Sequence, residues 1–201
     1  MIARVAHAMT DVLTPFDDAP TTAAVIASTR RWIERVVIGL NLCPFAKAVY
    51  VKQQIRFAVT AAATTEELLA ELRREVELLV RSNPEELDTT LLIHPRAMTD
   101  FIEFNAFLKR ADATIRKLGQ EGRVQVASFH PAYEFAGTEP DDIENCTNRS
   151  PHPTLHLLRE ASIDRAVAAF PDAAAIYERN IETLRRLGRQ GWQRLSATEP
   201  D

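Results

Sequence analysis

From Thr22 onward, the apolar residues Val25, Trp32, Ile33, Val36, Val37 and Leu40 recur at steps of three and four. That period predicts a helix with one buried face, running to about Leu42. Thr21 or Thr22 can cap its start, and Pro44 biases Cys43 away from helical dihedrals and so ends it. Residues 54–59 alternate polar and apolar and predict a first strand. Thr64-Thr65-Glu66-Glu67 then places a capping residue and early acids before a helix to about Arg81. Residues 89–93 form a short apolar run, as expected of a strand covered on both faces. A helix over 99–118 carries Phe101, Phe104, Phe107 and Leu108 on one stripe, with Gly119 near its C-cap. A third strand covers 124–129.

Strand, helix, strand, helix, strand at these lengths predicts an α/β fold with a small, mostly parallel sheet and helices on both faces. The competing expectation is a ferredoxin-like α+β sheet. His94-Pro95 and His130-Pro131 follow the second and third strands. In the parallel arrangement both histidines emerge at the carboxyl edge, where open α/β sheets place ligands. The pattern predicts one domain over 21–195, with an N-terminal extension over 1–20 and a tail over 196–201.

Residues 128–160 set the functional expectation. After the third strand the chain runs for about twenty residues with little periodicity, and such long loops in compact domains are usually functional or disordered. Phe129, Tyr133, Phe135 and three of the five histidines argue for order. Pro153 can open a helix over 153–160, and 163–170 and 173–187 also read as helices. A helix start beside Asn148, Arg149 and Ser150 suits an anion.

Composition narrows the class. The chain has 201 residues, 46% hydrophobic and 26% charged, as in an ordinary globular domain. A net charge of −4 argues against a surface built to grip nucleic acid. No apolar stretch approaches the length of a membrane span. Two cysteines, Cys43 and Cys146, exclude a disulfide framework and make a reducing, cytosolic home the default.

Three groups of residues can carry chemistry. Cys43 is a candidate nucleophile if an imidazole or guanidinium is within reach to favour the thiolate, and otherwise a small buried hydrophobe. His94 and His130 can exchange protons near neutral pH or simply terminate their strands. Cys43, His94 and His130 together can form a three-ligand zinc or iron site, although no familiar ligand spacing is present. Asn148, Arg149, Ser150 and Arg159, with His156, are the anion candidates, since Arg presents a planar fork to carboxylate or phosphate. Against this stands pairing of Arg149 and Arg159 with Asp141, Asp142, Glu144 or Glu160. No phosphate-loop, dinucleotide or GxSxG motif occurs.

Gly39-Leu40-Asn41-Leu42-Cys43-Pro44-Phe45-Ala46, Ser128-Phe129-His130-Pro131 and Thr147-Asn148-Arg149-Ser150-Pro151 resemble the bacterial proteins grouped as domain of unknown function 1415. The likeness runs from about Trp32 to beyond Glu160. It implies a bacterial, cytoplasmic protein and carries no reaction with it. Cys43, His94, His130, Asn148, Arg149, Ser150, His156 and Arg159 match that family's pattern. His152, where an aromatic is expected, and Cys146 depart from it.

These residues point first to a thiol-dependent hydrolase or transferase acting on a small anion. There Cys43, His130 and His94 would be catalytic, and Asn148, Arg149, Ser150, Arg159 and His156 would bind substrate. A Cys/His/His metalloprotein and an anion-sensing module without catalysis are the alternatives.

Overall fold

A computed structural model of the chain describes residues 20–168 and 175–196. The expected N-terminal extension and C-terminal tail therefore lie almost wholly outside the described residues, as does Pro171, which falls between the helices expected over 163–170 and 173–187.

The first helix, α1 (Thr22–Trp32), starts where the Thr21 hydroxyl accepts the Ala24 N–H at 3.2 Å. It does not continue as an α-helix to Leu42. At Ile33 it widens into a π-helix, Ile33–Ile38, a form that often marks functional positions. A Cβ at Gly39 would overlap the Arg35 carbonyl oxygen, so the exit from this wide turn requires glycine. After Asn41, with φ 53°, a short helix α2 (Ala46–Val51) leads to the first strand.

The middle of the chain follows its periodicity closely. Strand β1 is Ile55–Val59, and α3 (Thr65–Arg81) opens with a capping box between Thr64 and Glu67. Strand β2 is Thr89–Ile93, and α4 (Phe101–Lys117) is capped by Asp100. Strand β3 is Val124–Phe129.

The expected helix at 153–160 is instead a strand, β4 (Thr154–Arg159). It lies between β2 and β3, antiparallel to both, giving the order β1-β2-β4-β3. The sheet is thus mixed rather than mostly parallel, although β1 and β2 pair in parallel. Leu155 and Leu157 point to one face and Thr154 and His156 to the other, the two-residue period that a strand needs. Helix α5 (Glu160–Ala168) follows at once, and α6 (Ile176–Ser196) bends at Gly188, with φ 67° and ψ 171°.

Helices cover both faces, as expected of an α/β domain. On one face Leu68, Leu72, Val76 and Leu79 of α3 meet Phe104, Phe107, Ala111 and Ile115 of α4 over Leu92, Leu155 and Leu157. On the other, Val25, Trp32 and Val36 pack with Leu184 of α6 over Leu91 and Ile93. Each fully buried side chain of this kind contributes roughly 1.5–3 kcal/mol. Glu75, buried in α3, is held by a two-pronged bond from Arg56 of β1 at 2.7 and 3.0 Å.

Candidate functional site

The long loop after β3 is ordered by one side chain. Asn145 is fully buried; its Oδ1 accepts the Phe135 N–H at 3.0 Å and the Thr138 hydroxyl at 2.8 Å. Its Nδ2 donates to the Glu139 carbonyl at 2.8 Å. This fold-back sits in a 3-10 helix, Ile143–Asn148, against which α6 docks. Arg185 and Arg189 of α6 pair there with Glu144 and Asp141 at 3.3 and 3.1 Å. Two of the acids that could have neutralised Arg149 are therefore engaged elsewhere.

Arg149 is anchored by backbone carbonyls. Its Nε donates to Tyr133 at 3.2 Å and its Nη2 to Pro140 at 2.6 Å. Among the described residues it has no carboxylate partner. It borders an open cavity of about 320 Å³ lined by α1, the π-helix, the loop and the last turns of α6. Arg31 also lines it, and among the described residues no acidic residue does. Trp32, Trp192, Val36, Pro131 and Leu195 supply apolar surface. The Nε1–H of Trp32 is buried without an acceptor, an arrangement that generally costs about 1–3 kcal/mol. The bend at Gly188 sets the direction of the α6 segment that carries Trp192, and its positive φ favours glycine.

The other anion candidates separate. Asn148 joins the loop to the sheet: its Nδ2 donates to the Ser128 carbonyl at 3.1 Å, and its own carbonyl accepts the His130 N–H. Ser150 lines the cavity but donates its hydroxyl to the His152 carbonyl at 2.7 Å. With a strand at Thr154–Arg159, no helix N-terminus stands beside these residues. Arg159 lies at the far end of β4, where its guanidinium binds the carbonyls of Leu79, Ser82 and Leu87. It closes the C-terminus of α3 and stays apart from Arg149.

His156 lies on the α1 side of the sheet. The Thr89 hydroxyl donates to the Leu157 carbonyl at 2.6 Å, so it accepts from His156 Nε2–H at 2.7 Å. Burial pushes this imidazole down to about 4. His152 bonds Ser28 of α1 at 3.0 Å, tying the loop to the first helix.

His94 and His130 do leave their strands at one edge. Ile93 and Phe129 both pair with Thr154, so two strand spacings, roughly 10 Å, separate the histidine backbones. Both rings are buried and pack on Phe104. His130 is bonded at both nitrogens: Nε2–H donates to Met98 at 3.2 Å, and Nδ1 accepts the Ala132 N–H at 3.0 Å. His94 Nδ1–H donates to Ala97 at 2.9 Å, which leaves Nε2 buried without a partner. Burial pushes His94 down to about 4 and lowers His130 as well.

Cys43 belongs to the opposite face. Leu42 beside it packs with Trp32 and Leu184, and the Leu42 carbonyl accepts from Asn180 of α6 at 2.9 Å. Burial pushes the Cys43 thiol up, and the N–H groups of Phe45 and Ala46 only partly offset this. Leu42 thus packs on the α1 side of the sheet, whereas His94 and His130 pack on Phe104 of α4. Among the described residues no three His, Cys, Asp or Glu side chains gather as a metal ion requires. The Cys43–His94–His130 zinc or iron set is not assembled.

A family model described as "Protein of unknown function (DUF1415)" matches residues 24–194. The chain belongs to this family. No curated protein and no solved structure matches it. Among the described residues no helix is long and apolar enough to cross a membrane.

The cavity of this DUF1415 chain draws on residues that its motifs do not mark. Trp192 lies far in sequence from the adjacent Arg31 and Trp32, and Trp32 reads as an ordinary core position of α1. The one local signal is that both tryptophans of the chain sit in helices whose polar faces are rich in arginine.

Proposed function

We propose that this protein binds a small anionic molecule in the cavity between α1, α6 and the loop over residues 131–151. One observation carries the reading: Arg149 lines the cavity with its guanidinium held by backbone carbonyls rather than by a carboxylate, and among the described residues no acidic side chain lines the wall. A concave, mostly apolar pocket with a few convergent polar groups is the usual form of a small-molecule site. Arg149 is pre-oriented by two carbonyls, so little of its side-chain freedom is left to lose on binding. Burial raises the pKa of the Cys43 thiol, which does not favour a thiolate, so binding is preferred to a thiol-dependent hydrolase or transferase.

Thermal unfolding in the presence of small carboxylates and phosphates tests this. A ligand that binds only the folded state raises Tm in a saturable way. The expected result is such a rise for the native protein, reduced or abolished in Arg149→Ala. No saturable shift with any member of a broad panel would remove the proposal.

A further inference from the structure

We infer that the ligand of this cavity is an organic anion with a flat apolar body, an aromatic carboxylate or aryl phosphate rather than a bare inorganic ion. This inference rests on the anion-binding reading above.

Size is the first argument. The cavity is about 320 Å³. At about 30 Å³ for each water in the liquid, that is room for about ten waters. An inorganic phosphate or an acetate would fill a small part of it and leave the remainder wet.

The second argument is the nature of the walls. Trp32 and Trp192, with Val36, Pro131 and Leu195, present apolar surface, and among the described residues Arg149 and Arg31 are the charged residues that line the cavity. A strongly hydrated inorganic ion gains nothing from indole and aliphatic walls. A flat ring covers them, and aromatic rings pack on one another in offset or edge-on geometry. The anionic group can meet Arg149 while the body lies on the tryptophans.

Both tryptophans of the chain border the cavity, so intrinsic fluorescence reads its occupancy directly. The test is a titration at constant ionic strength with acetate, benzoate, inorganic phosphate and phenyl phosphate, and with neutral benzamide as control. Calorimetry serves as a second readout. Benzoate should bind at least tenfold tighter than acetate, and phenyl phosphate at least tenfold tighter than inorganic phosphate. Tenfold corresponds to about 1.4 kcal/mol. Arg149→Ala should weaken every anion. Trp192→Phe, and more so Trp192→Ala with its fold checked by circular dichroism, should bring the aromatic preference down towards one.

Equal affinities within each pair, with saturable binding, would overturn the flat-body inference and leave the anion site standing. Benzamide binding as tightly as benzoate would overturn the anion reading and this inference with it. No saturable binding by any of the four anions would also overturn both.

Discussion

The rings of His94 and His130 rest on the same side chain, that of Phe104, at centroid distances of 5.7 and 5.1 Å. Two neutral imidazoles thus form part of the packing between the sheet and α4, with hydrogen bonds to the backbone of the 97–98 and 132 turns. Their position at the carboxyl edge suits catalysis, but their environment is that of core residues.

That environment makes stability depend on pH. In the unfolded chain a histidine titrates near 6.5, whereas His94 and His156 titrate at about 4 in the fold. Below pH 6.5 the unfolded chain takes up protons that the folded chain refuses. Stability contributed by these groups is therefore fully present above pH 6.5, falls as the pH drops from 6.5 towards 4, and levels off below that. Each group should cost about 1.4 kcal/mol per pH unit across the window. Urea unfolding at pH 7.5, 6, 5 and 4.5 should show a steady fall, shallower in His156→Gln. A flat profile would mean that these imidazoles are accessible to protons in the native state.

Cys43 should behave as a covered thiol. Burial raises its pKa, so at neutral pH little thiolate is present. Iodoacetamide labelling of native protein carrying Cys146→Ala should be slower at pH 7 than labelling of a free thiol. It should still be rising at pH 9. Rapid labelling with a midpoint below pH 7 would instead reveal an activating group and revive the thiol enzyme.

The π-helix next to the cavity depends on Gly39. An alanine there would press its Cβ into the Arg35 carbonyl oxygen, which is backbone and cannot swing aside. Overpacking of this kind typically costs about 1–3 kcal/mol. Gly39→Ala should lower the urea midpoint by a corresponding amount. Because Val36 and Trp32 line the cavity, it should also shift the tryptophan emission. An unchanged midpoint would show that the turn can rewind as an ordinary α-helix.

The elements legible in the sequence are those whose signal is local. The Thr64–Glu67 capping box, the apolar run of β2 and the phenylalanine stripe of α4 each carry their structure within a few residues. Strand β4 does not. Pro153 followed by Leu155, His156, Leu157 and Leu158 satisfies a helix start as well as a strand, and only the open sides of β2 and β3 decide between them. The site divides in the same way. Arg149 stands out because it lies in an aperiodic loop, while Arg31, Trp32 and Trp192 meet only through the docking of α6 on the loop. Cys43, His94 and His130 read as one group because each ends an element, but their spacing does not show that Cys43 follows the π-helix of one layer while the histidines pack on Phe104 of the other.

Arg159 separates structure from binding most cleanly. Its guanidinium satisfies carbonyls of Leu79, Ser82 and Leu87 where α3 runs out of internal partners. Hydrogen bonds from a charged donor are worth about 1.5–3 kcal/mol, reduced here because water can reach the freed carbonyls. Arg159→Ala should therefore destabilise the protein by about 2 kcal/mol in chemical unfolding, with Arg159→Lys intermediate. Five residues of extended strand, about 17 Å, separate it from the start of β4 beside the cavity. The Tm rise produced by a cavity ligand should consequently persist in Arg159→Ala from its lower baseline, while Arg149→Ala, which also frees two carbonyls, should lose stability and the ligand response together. If Arg159→Ala abolished the ligand response and left stability unchanged, Arg159 would belong to the binding site and its closure of α3 would be incidental.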